Sequence, residues 1–257
     1  MTTSTTARKP SGAIRLWSVV FWLALWQAAS MALAQPLLLA SPVQAAARLW
    51  QLLPSSAFWA AVGFSAGRIL SGFLLSCCAA VLCGALAARF VRVRELLAPL
   101  VAAVKAVPVA SFIIVALIWV PSRNLALLIS SLMAFPPLYL NLLEGIGQTD
   151  RALLEMARVF RMPFSRRLWG VYVPQVLPYF RSAASLALGL CWKSGIAAEV
   201  IGLPAGSMGE RLYAAKIYFE TPDLFAWTIA IVAVSVLFER LFLAAVTLAV
   251  RRTGGGA

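Results

Sequence analysis

The chain has 257 residues, of which 62% are hydrophobic and 12% are charged, and its net charge at pH 7 is +13. A soluble domain is about 45–50% apolar and about 25% charged, so this composition argues against a globular protein and predicts burial in lipid. Four cysteines without a Cys-x-x-Cys pair, and no histidine, argue against a transition-metal site. No basic segment interleaved with aromatic residues is present, so nucleic acid is not expected as a partner.

Six apolar segments predict membrane-spanning helices, and the fold class is therefore all-α. In chain order the segments are residues 16–34, 69–88, 96–120, 125–143, 178–200 and 224–240. Each approaches or exceeds the length of about 20 residues that crosses a bilayer. We expect residues 1–13 to form a disordered cytoplasmic tail, residues 14–250 a single transmembrane domain, and residues 251–257 a C-terminal tail.

Lys and Arg are distributed unevenly over the loops, which predicts the orientation of the chain. With a cytoplasmic N-terminus, the inner segments carry 13 of these residues. The outer segments carry five, namely Arg48, Arg68, Arg123, Arg211 and Lys216. Because cytoplasmic loops are enriched in Lys and Arg, both termini are predicted on the cytoplasmic side.

The longest charged segment, residues 144–177, is the main candidate for function. Thr149-Asp150 offers an N-cap, and Leu153, Met156/Ala157 and Phe160 recur at helical spacing as one apolar face. Pro163 then breaks the helix. Such a short helix can dock its apolar ridge in a partner's groove, or it can rest on lipid headgroups; the pattern alone leaves both readings open.

The same segment resembles the "EAA" loop of ABC-importer permeases, whose pattern is Glu-Ala-Ala, three residues, Gly, nine residues, Ile, one residue, Leu-Pro. Glu155, Ala157 and Pro174 match this pattern, and Arg161 stands where the family has glycine. Glycine there would end the helix in a left-handed conformation, which costs an arginine about 1 kcal/mol or more.

The resemblance extends to the nitrate/sulfonate/taurine-type branch of these permeases. It is carried by Ser41-Pro42, Arg68-Ile69-Leu70-x-Gly72, Lys105-x-x-Pro108 and Ala198-Glu199. It implies a type I ABC-importer permease fold in which the helix at 151–160 seats in a cleft of an ATPase. The residues implied in this coupling are Arg151, Leu153, Leu154, Glu155, Ala157, Arg158, Phe160, Arg161 and Pro174.

Such permeases work with two cytoplasmic ABC ATPase subunits, a second permease copy in a homodimer or heterodimer, and an extracytoplasmic solute-binding protein. The resemblance also implies a multi-pass protein of the bacterial plasma (inner) membrane, in contact with lipid. No G-x-x-x-x-G-K-[ST] phosphate-binding loop occurs in the sequence. The chain is therefore not expected to be an enzyme or to bind a cofactor, and ATP and Mg²⁺ would be used by the partner.

Charged and helix-breaking residues inside the spans are candidates for the translocation pathway. A mid-membrane Lys costs about 2.5–3.5 kcal/mol on insertion scales, so Lys193 and Lys105 need either a polar pathway or a route to the interface by snorkelling. Glu199 lies near the outer end of its span. Pro108 and Pro136 each leave a backbone carbonyl without its helical hydrogen bond, which indicates either a gate or a packing kink.

The sequence therefore predicts the permease subunit of an ATP-driven importer for a small solute. Lys193 favours an organic or inorganic anion such as a sulfonate, taurine or nitrate, although similar permeases carry vitamin precursors. The alternative is a secondary transporter or channel without an ATPase partner. A membrane enzyme is disfavoured because no paired carboxylates or His/Cys ligand set converges on one span.

Overall fold

The computed structural model describes residues 16–33, 35 and 37–253, and these contain helices and no β-strand. The predicted tail at 1–13 and residues 254–257 lie outside the described residues. The helices are α1 (Leu16–Leu33), α2 (Pro42–Leu52), α3 (Ser56–Arg89), α4 (Val91–Ala106), α5 (Val109–Ala116), α6 (Ser122–Gly147), α7 (Arg151–Val159), α8 (Phe164–Arg167), α9 (Val173–Gly202), α10 (Met208–Ile217) and α11 (Thr221–Thr253). A π-helical turn, Leu168–Tyr172, joins α8 to α9.

Five segments within the described residues are long and apolar enough to cross a membrane. They are α1, α3, α6, the continuous stretch Phe164–Gly202, and Thr221–Ala249 of α11. The pair α4 and α5 passes the same test together but is bent by 103°, as in a broken span or a re-entrant loop. The described residues thus contain five such helices, or six if the bent pair is one span, which agrees with the predicted number of about six.

The second span starts much earlier than predicted, at Ser56 rather than at residue 69. Arg68 does not stop the helix because its guanidinium group lies 4.0 Å from the centroid of the Phe64 ring and also donates to the backbone carbonyl of Arg123. A cation held over an aromatic face and bonded to a carbonyl can remain inside a long helix.

The third span is not the single helix predicted at 96–120, because the chain turns sharply at Val107-Pro108. Pro108 has no N–H to donate to the carbonyl of Val104, so the helical hydrogen-bond ladder is lost there. Lys105 and Pro108 are both exposed at this bend.

The packed core places α6 between α3 and α9, and small residues allow the close approach. A Cβ on Gly195 of α9 would stand 2.6 Å from the Cγ1 atom of Ile69 and from the Oγ atom of Ser130. Ser130 also donates to the carbonyl of Cys191 at 3.1 Å, and the Cys191 thiol donates to the Ser130 carbonyl at 3.4 Å. Small residues and interhelical hydrogen bonds are what join helices in lipid.

Pro136 and Pro137 lie inside α6 without ending it. Pro136 is buried, and the side-chain amide of Asn141 donates to the carbonyl of Pro137 at 2.9 Å. Pro136 is thus covered by the packing of this chain, and its part in a pathway stays a prediction.

The short helix α2 lies at the end of the bundle opposite α7. Ser41 caps it in a reciprocal capping box with Gln44, and Pro42 occupies its first turn. Arg48 then forms an ion pair with Asp223 at the start of α11. The hydrogen bond to Asp223 raises the pKa of the Arg48 guanidinium, so α2 is tied to α11 by a charged pair at any physiological pH.

We expect the change Gly72→Ala to destabilise the fold by about 1–3 kcal/mol, because the new methyl group would overlap the carbonyl oxygen of Leu127 on α6. Gly67→Ala is the matched control, since nothing lies within 4 Å of a Cβ at that position of the same helix. Thermal unfolding in detergent compares the two variants. Equal melting temperatures would contradict this account of the α3–α6 contact.

Candidate functional site

The start of α7 is fixed by hydrogen bonds on both sides of Asp150. The carboxylate of Asp150 accepts from the amide of Ala152 at 2.8 Å, as the predicted N-cap requires. The backbone amide of Asp150 donates to the side-chain carbonyl of Gln175, also at 2.8 Å. Gln175 belongs to the first turn of α9, so α7 is attached directly to the base of that span.

The end of α7 has the geometry of a Schellman motif. The amide of Met162 donates to the carbonyl of Ala157 at 2.9 Å, and the amide of Arg161 donates to the carbonyl of Arg158 at 3.0 Å. Arg161 has φ +48°, the left-handed conformation that glycine adopts most easily. The arginine at the usual glycine position therefore preserves the turn at a conformational cost.

One face of α7 is an exposed apolar ridge, made of Leu153, Met156, Val159 and Phe160. Their exposed fractions are 37%, 39%, 79% and 72%. The sequence interpretation missed Val159, the most exposed of the four, because Ala157 had been given a place on that face. The i, i+3 spacing of Met156 and Val159 was the signal that could have identified it.

Two of the predicted coupling residues lie on the inner face of α7 instead. Ala157 is only 1% exposed and Leu154 is half-buried, so these side chains seat the helix on the bundle. The placement of Ala157 on the outer ridge is corrected accordingly, because a buried methyl group cannot contact a partner in this conformation. Arg151, Glu155 and Arg158 are exposed, and they lie together along the flank of α7 that is away from Leu153 and Phe160.

The chain returns to the membrane through α8 and the π-helical turn. In this turn the amide of Val173 donates to the carbonyl of Leu168, five residues earlier. Pro174 lies in the first turn of α9, directly after the π-helical turn, and it is exposed. Phe164 and Trp169 are also exposed, so apolar surface continues beyond the α7 ridge.

Lys193 lies on a stripe of α9 that no part of the described chain covers. Ser182, Leu186, Leu190 and Lys193 recur at helical spacing, and all four are exposed. An ionisable residue inside a span faces a water-filled cavity or another protein surface rather than lipid. The stripe and the exposed bend at Lys105 and Pro108 are thus the candidate pathway surfaces of one chain.

Glu199 differs from Lys193, although both belong to α9. It is fully buried, and the Ser65 hydroxyl and the Gly209 amide donate to its Oε2 atom at 2.7 and 3.1 Å. Its predicted place in the pathway is not tested, but its contacts in this chain are with α3 and α10.

Comparison with known proteins identifies the class to which this bundle belongs. The model of the family described as the inner membrane component of binding-protein-dependent transport systems matches residues 80–254. The match covers more than half of the chain, and the chain belongs to this family of ABC-importer permeases. The predicted all-α permease fold and the integral membrane location agree with this membership.

Three relatives illustrate which permeases the chain is similar to. SsuC of Bacillus subtilis (strain 168), named for aliphatic sulfonates transport, is 27% identical over 219 residues, which cover 84% of this chain and 79% of SsuC. The nitrate import permease protein NrtB of Synechococcus elongatus is 26% identical over 72% of this chain and 70% of its own. The riboflavin transport system permease protein RibX of Chloroflexus aurantiacus is 27% identical over 87% of each chain.

We expect Arg161→Gly to stabilise the last turn of α7 by about 1 kcal/mol, because glycine reaches a positive φ without a Cβ penalty. Hydrogen exchange of the Met162 amide, which closes the Schellman motif, should slow by about fivefold. Arg158→Gly is the control: it lies within the same helix, and there glycine should accelerate exchange. Faster exchange in both variants would contradict the left-handed assignment of Arg161.

Proposed function

We propose that the chain is the permease subunit of an ATP-driven importer and that α7 is its coupling helix. The exposed ridge of Leu153, Met156, Val159 and Phe160 carries the proposal. Leu154 and Ala157 already occupy the inner face against the bundle, so the ridge is free for a partner. Four apolar side chains beside a charged flank are the usual form of a helix that docks in a groove.

The proposed assembly contains two copies of a permease, two cytoplasmic ABC ATPases and a solute-binding protein on the outer side. ATP and Mg²⁺ are used by the ATPases, and both termini of this chain are cytoplasmic. The need for a second permease copy is supported by α9 and by the α4–α5 bend. Lys193 and Lys105 are exposed and need a polar surrounding at membrane depth, and a second copy facing them would enclose a water-filled pathway.

The proposed solute is a small anion, such as a sulfonate, taurine or nitrate. Lys193 is exposed on α9, and the one acidic residue of that helix, Glu199, is buried away from it. A nearby cation lowers the cost of an anion at membrane depth. The relatives bear names for aliphatic sulfonates, nitrate and riboflavin, so similarity alone does not select among solutes.

We expect Val159→Glu to reduce capture of the ATPase by at least about tenfold, because a charge is placed at the most exposed point of the ridge. The permease is purified from its native membranes with a mild detergent, and the bound ABC ATPase is quantified by mass spectrometry. Val43→Glu makes the same change at an exposed site on α2, at the opposite end of the bundle, and should leave capture unchanged. An ATPase that binds Val159→Glu normally, or no ATPase with the unchanged chain, would refute the proposal.

We expect Lys193→Gln to raise the KM for anion uptake by about tenfold through the loss of one favourable charge interaction of about 1–1.5 kcal/mol. Uptake of an alkanesulfonate, taurine, nitrate and riboflavin is measured in cells that carry the complete transporter. Lys216→Gln, an exposed cation on α10, is the charge-matched control. Unchanged KM values for every anion transported would remove Lys193 from the pathway.

A further inference from the structure

Glu199 is the fully buried carboxylate of α9, and its setting explains how a membrane helix tolerates it. It lies three residues before the end of the helix and points to the first turn of α10. A buried carboxylate is costly unless hydrogen-bond donors surround it. Here one donor from another helix terminus and one from α3 serve the Oε2 atom, whereas the buried Oε1 atom has no hydrogen-bond partner among the described residues.

The first turn of α10 is capped largely by tertiary contacts. The amide of Met208 donates to the Ser65 hydroxyl at 2.9 Å, and the amide of Gly209 donates to Glu199 at 3.1 Å. Ser65 in turn donates to the same carboxylate oxygen at 2.7 Å. The Ser207 hydroxyl accepts from the third amide, that of Glu210, at 3.0 Å. These amides have no partner within α10, and the positive end of the helix dipole favours the carboxylate.

The contact between α10 and Glu199 leaves no space for a side chain at position 209. A Cβ on Gly209 would stand 2.7 Å from the carbonyl carbon of Glu199 and from the amide nitrogen of Val200. The two backbones therefore touch. This close approach brings the Gly209 amide within reach of the carboxylate, and a larger residue would separate the two helices.

The segments that join α10 to its neighbours contain residues with unfavourable backbone conformations. Leu203 before α10 and Phe219 after it have φ values of +47° and +58°, which cost a side chain with a Cβ about 1–2 kcal/mol each. Such conformations persist where surrounding contacts determine them. At the start of α10 these contacts include the hydrogen bonds to Glu199 and Ser65.

The helix α9 connects this cluster to the coupling helix. It has 30 residues and is about 45 Å long. At its first turn Gln175 accepts from the amide of Asp150, which caps α7, and near its last turn Glu199 accepts from Gly209. One continuous helix therefore carries α7 at one end and α10 at the other.

We propose that Glu199 is a positioning residue that locks α10 to α9 and α3, so that a displacement of α7 is transmitted to α10 on the opposite side of the membrane. The inference rests on the proposed role of α7 as the coupling helix. Lys193, six residues earlier, lies on a different face of α9 and is exposed, so the two groups act separately.

The first experiment tests the lock on the permease alone, in lipid nanodiscs, by hydrogen exchange with mass spectrometry. Glu199→Leu keeps the volume but removes the acceptor, and exchange at Met208 and Gly209 should accelerate by about tenfold or more. Glu199→Gln keeps an acceptor and should restore most of the protection. Ser65→Ala should accelerate exchange of the Met208 amide, while the Gly209 amide stays protected.

The matched control is Glu239→Leu, because Glu239 is a second carboxylate within a span and accepts a hydrogen bond from Ser185. This variant should leave exchange at the start of α10 unchanged. Normal protection of Gly209 in Glu199→Leu would overturn the proposal. If Glu199→Leu instead unfolds α3 and α9, the Ser65→Ala variant is used in its place. Normal protection of the Met208 amide in that variant would also overturn the proposal.

The second experiment tests transmission in the complex purified with its ATPase. Addition of Mg²⁺ and the non-hydrolysable analogue AMP-PNP should change exchange in both α7 and α10 of the unchanged chain and of Glu199→Gln. In Glu199→Leu, α7 should respond and α10 should not. An equal response of α10 in Glu199→Leu would refute transmission through Glu199. A permease that binds no ATPase would refute the proposed function and leave the first experiment as the test of the lock.

Discussion

The close contact of α6 with α3 and α9 is the constraint on which the rest of the structure depends. Lipid provides no hydrophobic drive for helices to associate, so the bundle relies on small residues and on hydrogen bonds that cross between helices. Gly72 and Gly195 let the backbones approach, and Ser130 with Cys191 exchanges two hydrogen bonds across α6 and α9. These contacts fix the axis of α9, and both ends of α9 carry the elements to which we assign function.

The packed face of the bundle also determines which surfaces remain open. Because α9 turns Gly195 and Cys191 towards α6 and α3, Lys193 is directed away from them and stays uncovered. Lys105 and Pro108 are likewise exposed at the bend between α4 and α5. The chain thus has one tightly packed side, and it has exposed cations that its own described helices do not cover. Such cations are costly in lipid, which agrees with the proposed second copy.

The sequence predicted most of the spans and the cap of α7 because these depend on local composition and spacing, and the class of protein followed from the resemblance of its motifs to a known family. It did not predict contacts that depend on helix rotation. The inward position of Ala157 required knowledge of which face of α7 meets the bundle, and the burial of Glu199 required the start of α10 to fold back on α9. The break at Pro108 was visible as a proline, but its angle was not. Val159 was overlooked because a small rotation of the assumed outer face about the axis of α7 adds Val159 to that face and removes Ala157 from it.

The first helix, α1, has no buried residue, and its described attachments to the rest of the chain are slight. They include hydrogen bonds from Trp26 and Ser30 to the carbonyls of Ala40 and Leu39, and the packing of Trp26 against Phe225. Most of the surface of α1 is therefore left to lipid or to another chain, so the packing of the later helices would survive a displacement of α1.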